Sequence, residues 1–93
     1  MGTFHHGKGD LHGITVVVDT KGPHVFVGRC DTVIDDGVLL LDADVHEEGD
    51  GRPTKDEYLE RAAKFGVWKK IDRVLVPAED VASITRLSDL RGG

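Results

Sequence analysis

Cysteine is almost missing from this chain: Cys30 is the only one. An internal disulfide and a cysteine-based zinc site are both excluded. A reduced, cytosolic setting is the simple expectation. Long apolar runs are missing too. Val38-Leu39-Leu40-Leu41 is the longest unbroken one, far short of the roughly 18 residues that cross a membrane. The start, MGTFHHGKGD, has no apolar h-region of a signal peptide. Cations are scarce in the first half. Residues 1–50 carry Lys8, Lys21 and Arg29 against ten acids, a balance of −7, while residues 51–93 carry nine cations and seven acids, a balance of +2. The net charge of −5 argues against a nonspecific DNA coat, which needs clustered cations. Any basic patch must come from the second half.

What is present is β-branched and punctuated by turns. Ninety-three residues make one domain with a thin core, and association with further copies is a common remedy. Residues 1–13 read as a flexible lead-in; their Gly7-Lys8-Gly9-Asp10 string lacks the spacing of a phosphate loop. Ile14–Thr20 is the first expected strand, since stiff χ1 angles suit a pleated sheet. Lys21-Gly22-Pro23 turns the chain. His24–Ile34 is the second strand, with Val25, Val27 and Cys30 on a core face that shifts frame at Gly28, because a glycine inside a strand marks a bend. Asp35-Asp36-Gly37 is a hairpin turn. Val38–His46 is the third strand, with Asp42 and Asp44 on one face and Ala43 and Val45 on the other. Its leucine run suggests cover on both faces, by a helix or a neighbouring subunit.

A polar loop, residues 47–53, precedes a short helix expected over about 55–65. Thr54 and Glu57 form a capping box, Gly66 stops the helix, and Tyr58, Leu59, Ala62, Ala63 and Phe65 give it one apolar side. Arg73–Val76 and Val81–Leu87 are strands four and five, separated by Pro77-Ala78-Glu79-Asp80. Five strands with short connections and a bend add up to a small all-β barrel over 14–88, with 89–93 as a tail.

These residues resemble a family. The strand with Val-Phe-Val-Gly-Arg, the acidic turn, the leucine-rich strand ending Leu-Asp-Ala, then Val-Leu-Val-Pro and Val-Ala-Ser-Ile are similar to the Sm and Sm-like proteins. Residues 14–46 and 73–87 carry the likeness; 47–72, with its helix, would fill the variable loop between strands 3 and 4. The Val-Gly-Arg strand and Val-Pro turn also resemble PRC-type barrels. The Sm resemblance implies a five-stranded SH3-like barrel. It also implies a homo-oligomeric ring of six or seven copies that pairs strand four with strand five, placing Val74, Leu75, Val76, Val81, Ser83 and Ile84 at the subunit interface. RNA would bind near the pore, beside Asp35, Asp36 and Gly37 and the 77–80 turn. Glycine stands where the family has asparagine, and Pro77-Ala78 where it has Arg-Gly.

Three further clusters draw attention. Lys64, Phe65, Trp68, Lys69, Lys70 and Arg73 interleave cations with aromatics, a pattern suited to single-stranded RNA or nucleotides. Otherwise Phe65 and Trp68 pack the helix end onto the sheet and the lysines stay solvated. His46, Glu47, Glu48 and Asp50, helped by His5, His6 or His12, offer metal-type ligands at a spacing that fits no template, so no metal and no cofactor is expected. Cys30, mid-strand, reads as a small apolar residue, and no triad or carboxylate pair is identifiable. The expectation is a binding protein rather than an enzyme. The alternative is a structural or protein-interaction ring without nucleic-acid recognition.

Overall fold

Five antiparallel strands run β1 (Thr15–Thr20), β2 (His24–Ile34), β3 (Gly37–Glu47), β4 (Ile71–Pro77) and β5 (Val81–Arg86) along the chain. A computed structural model describes residues 12–91, so most of the lead-in, with His5, His6 and the Gly7–Asp10 string, lies outside the described residues. In space the order is β4-β3-β2-β1-β5. β4 and β5 are therefore the edges, joined by a 3₁₀ turn at Ala78–Asp80, and no ladder joins them among the described residues.

One core draws on every strand: Val16 and Val18, Cys30 and Val33, Val38 with Leu40 and Ala43, Val76, and Val81. A sheet that shares one core among all five strands must curl. The register shows how. From Val27↔Asp44 to Arg29↔Leu41, β2 advances two residues and β3 three, so the extra residue lies on β3 at the Asp42–Ala43 step. Asp42 takes the left-handed φ of 51° there. Gly28 sits opposite, where a Cβ would stand 2.8 Å from the Ala43 Cβ. From Cys30↔Leu40 to Thr32↔Leu39, β2 advances two and β3 one, placing a second bulge at Asp31. Bulges bend a strand and deepen its twist.

This corrects the expected frame. Val25 and Val27 do not share a face with Cys30. They lie with Val17 in a second cluster on the opposite face of the sheet. The frame of β2 changes at Asp31, not at Gly28.

That second face is where the helices dock. α1 (Lys55–Phe65) begins with a reciprocal cap: Glu57 N donates to Thr54 Oγ1 at 3.1 Å, and Thr54 N donates to Glu57 Oε1 at 2.8 Å. Gly66, at φ 81°, ends it and donates to the Ala62 carbonyl. Tyr58 and Leu59 pack on Val17, Val25 and Val27. Lys55 nails the helix start to the β1–β2 turn, its ammonium donating to Asp19 Oδ1, Thr20 O and Gly22 O at 2.7, 2.9 and 2.6 Å. All three donors are thus used.

A second helix, α2 (Leu87–Arg91), replaces part of the expected tail. Leu87 joins the Val17 cluster. A five-residue helix is too short to display a period, so only this docking reveals it. Leu39 and Leu41, on the outer face of β3, stay partly exposed, because α1 reaches β3 only at its other end, where Tyr58 meets Asp44 and His46.

Candidate functional site

Two groups of candidate residues emerge, at opposite ends of the β3–β4 ladder. The first is the pair of turns. Gly37 opposes Pro77, and Ala78 N donates to the Asp36 carbonyl at 2.8 Å. The 35–37 and 77–80 turns therefore meet. Asp35, Asp36, Glu79 and Asp80 are all exposed, and no ion pair engages them among the described residues. Four carboxylates without ion-pair partners repel a phosphate.

The second group starts where α1 ends. Lys70 N donates to the Ala43 carbonyl at 2.9 Å and lays the segment after Gly66 along β3. Val67 turns inward to the Val17 cluster. Phe65 and Trp68 do not cap the helix against the sheet: they are 82% and 86% exposed. The lysines beside them stay exposed, and two of them are paired. Lys69 Nζ reaches Asp72 at 2.9 Å and Asp42 at 3.6 Å, and hydrogen bonding to Asp72 is the main reason its ammonium holds its proton above the ordinary range. Lys70 Nζ lies 3.2 Å from Asp44 Oδ1. That contact is an ion pair by distance but is not aligned as a hydrogen bond, and Oδ1 has no other partner. Arg29 closes on Asp42 at 3.1 Å. Arg73 is exposed, opposite Leu41.

Asp44 itself was not expected at a site. The residue is only 5% exposed, and its Oδ2 accepts from the Tyr58 hydroxyl at 2.6 Å. His46 stacks on the Tyr58 ring at 4.6 Å, and its Nε2 contacts the Pro53 carbonyl at 2.8 Å. The metal-type residues near it diverge into other duties. Glu47 binds Arg52 at 2.9 Å, and Glu48 Oε2 accepts from Lys55 N at 2.9 Å. Cys30 is fully buried, and burial, with Asp31 second, pushes its thiol up.

Burial first, then donation to Asp44 and that carboxylate's charge, push the Tyr58 hydroxyl far above its ordinary value of 10.0. An acid whose folded pKa is raised stabilises the fold below the unfolded value and loses that contribution as pH rises past it. The melting midpoint is therefore expected to fall above about pH 10, with a smaller fall in Tyr58→Phe. Tyr58 is the only tyrosine, so tyrosinate absorbance should appear only as the fold is lost. Reversible ionisation near pH 10 in folded protein, a value set by model peptides at about 10, would contradict the buried hydrogen bond.

No protein-family model matches the chain, and no curated protein matches it. Solved structures do. The Pyrococcus abyssii Sm protein, solved in complex with a uridine heptamer, superposes with a TM-score of 0.56 at 21% identity over 89% of this chain and 90% of that one. The fold is Sm-like. A chain of the NatC complex bound to CoA superposes equally well, with a TM-score of 0.56 at 18% identity over 89% of this chain and 87% of that one. At such identities the likeness carries fold alone.

Within this Sm-like fold the two groups stand apart. From Pro77 to Ile71, six residues along β4, the separation is roughly 20 Å at about 3.3 Å each. Asp35, Asp36 and Gly37 belong to one end, and Phe65, Trp68, Lys69 and Lys70 to the other, with Arg73 between. The expected interface residues lie on both open edges. Val74, Val76, Val81 and Ile84 turn their side chains toward the chain's own core, whereas Leu75 and Ser83 are exposed. Backbone groups, not the four inward side chains, are what these edges offer a partner strand. Among the described residues, no helix is long and apolar enough to cross a membrane.

Proposed function

We propose that the chain is a ring-forming binding module whose ligand is short single-stranded RNA, and that it acts by binding rather than by catalysis. The observation that carries the assembly is a single sheet of Sm-like order with both edge strands, β4 and β5, unpaired among the described residues. An open edge exposes a row of backbone donors and acceptors that another strand can pair with. Leu75, 44% exposed on β4, adds apolar area beside one edge. The ligand class is supported by Phe65 and Trp68, whose exposed rings are stacking platforms. The uridine heptamer bound by the Pyrococcus protein supports it by fold analogy only.

Two measurements test the proposal separately. Sedimentation of the full chain at micromolar concentration is expected to show a discrete oligomer; a clean monomer would sink the ring. Filter binding of a short oligouridine should weaken steeply with salt, since each phosphate contact on a single strand contributes about 0.7 to the log–log slope. Absence of salt-dependent binding at low salt would sink the RNA reading.

A protein-interaction ring is the second reading. The meeting of two acidic turns favours it, because carboxylates there oppose RNA at the position where the family resemblance puts it. The match to a chain within the NatC complex points the same way. Oligomer without oligouridine binding is its expected signature.

A further inference from the structure

We infer that single-stranded nucleic acid, the ligand class proposed above, is bound on the outer surface at the end of α1, with bases on Phe65 and Trp68 and phosphates on Arg61 and Lys64, rather than at the meeting turns. This rests on the RNA reading and locates its site.

The cation inventory decides the location. Lys69, Lys70 and Arg29 lie within 4 Å of Asp72, Asp42 or Asp44, so a phosphate there must compete with a carboxylate already in place. Arg61 and Lys64 are exposed and enter no ion pair among the described residues. Both belong to the last turns of α1, three residues apart and so at neighbouring positions on the helix surface.

Between the two helices runs an open groove of about 290 Å³, with Lys64 on its wall. Ala62, Ala63 and Gly66 contribute no bulk to that groove, and Thr15 and Ser88 lend it hydroxyls. Its volume is at the small end of ligand-sized sites, about 300 Å³ and upward. Phe65 lies between two groove residues, Lys64 and Gly66, and Trp68 follows two positions on.

The surface thus combines unpaired cations, a shallow cleft and two exposed rings. Cations alone suit any polyanion, and exposed rings alone suit many partners. Both together select an anion that carries planar faces, which is what a single strand presents and a duplex hides. The acidic turns lie roughly 20 Å away along β4, at about 3.3 Å per residue, so their repulsion does not oppose binding here.

Trp68 is the chain's only tryptophan, so its emission reads this surface alone. A short oligouridine, labelled for anisotropy, is titrated into the full chain while Trp68 emission is followed. Quenching is expected to track the anisotropy. Phe65→Ala and Trp68→Ala should each weaken binding roughly ten- to a hundredfold, with unchanged far-UV circular dichroism and oligomeric state because both side chains are exposed. Lys64→Glu should weaken binding and flatten the salt slope, whereas Trp68→Phe should retain much of the affinity by keeping a ring. Anisotropy that rises while Trp68 emission stays still, or affinity that survives Phe65→Ala and Trp68→Ala but changes with Asp35→Asn and Asp36→Asn, overturns the location and leaves RNA binding standing. No binding at low salt overturns both. Trp68 emission that responds to a protein partner and not to oligouridine overturns the inference in favour of the interaction ring.

Discussion

Gly37→Ala is expected to destabilise the fold by about 3 kcal/mol or more, a backbone clash inside a buried corner being among the few single changes of that size. Gly37 is buried and holds φ at 153°, a conformation that side-chain-bearing residues rarely adopt. A Cβ there would stand 2.1 Å from the Val76 carbonyl oxygen and 3.1 Å from Ala78 N. Both neighbours are backbone atoms in or beside a ladder, so no flexible side chain can yield. The alternatives are to separate β3 from β4 at Gly37↔Pro77 or to break the Ala78 N to Asp36 O bond. A chain of this size has only about 5–14 kcal/mol of total stability, at roughly 0.05–0.15 per residue. Urea unfolding followed by circular dichroism measures the loss. Gly49→Ala is the control: nothing lies within 4 Å of its added Cβ, and a change within about 0.5 kcal/mol is expected. Equal midpoints for the two variants would mean that the corner relaxes and that the meeting of the acidic turns is not fixed by Gly37.

The strands were legible because their signals are local. β-branched runs, a Lys-Gly-Pro turn and an Asp-Asp-Gly turn mark each segment without reference to any other. The frame of the strands was not. The bulge at Asp31 depends on which residue of β3 lies opposite, and nothing in the Arg29-Cys30-Asp31-Thr32 run alone distinguishes it. Gly28 was recognised as special, but its role is close approach to Ala43 across from the β3 bulge rather than a change of frame in β2.

Charge was legible as a count and not as a set of pairs. Lys69 and Lys70 read as a basic patch, yet three aspartates brought in by β3 and β4 take up their charge. The groove beside Lys64 exists only because of α2, a helix too short to announce itself. Phe65 shares a helical side with Tyr58 by periodicity, and periodicity cannot say where the covering strands stop. Exposure of Phe65 is therefore a property of the assembled fold.

Asp44 is the clearest case of a residue that alternation assigned to a face without revealing its burial, and it carries the second large expected effect. Asp44→Ala should cost about 2–4 kcal/mol, as the loss of one member of a buried hydrogen-bonded pair does. The exposed Lys70 contributes little to that sum, since surface ion pairs are weak. Most of the loss comes from the Tyr58 hydroxyl, which donates to Asp44 Oδ2 at 2.6 Å and would be left without its acceptor on the half-buried face of α1. Tyr58→Phe leaves the opposite fragment, the carboxylate of a buried residue with one oxygen stripped of its donor and the other poorly aligned to Lys70. An unpartnered buried charge is costlier than an unpartnered hydroxyl. The phenylalanine variant should therefore lose at least as much stability as the alanine variant, though it removes a single oxygen. The double variant should lose less than the sum, with a coupling of about 1–3 kcal/mol. Urea midpoints of the four proteins measure this cycle at pH 7, where Tyr58 is neutral. Additive losses would mean that the hydrogen bond contributes nothing, and α1 would then be held by Leu59, Ala62 and Lys55 alone. A coupled pair instead makes Asp44 the point on β3 that fixes α1. In that case Asp44→Ala should also speed hydrogen exchange at the Lys70 amide, which bonds the Ala43 carbonyl one residue away.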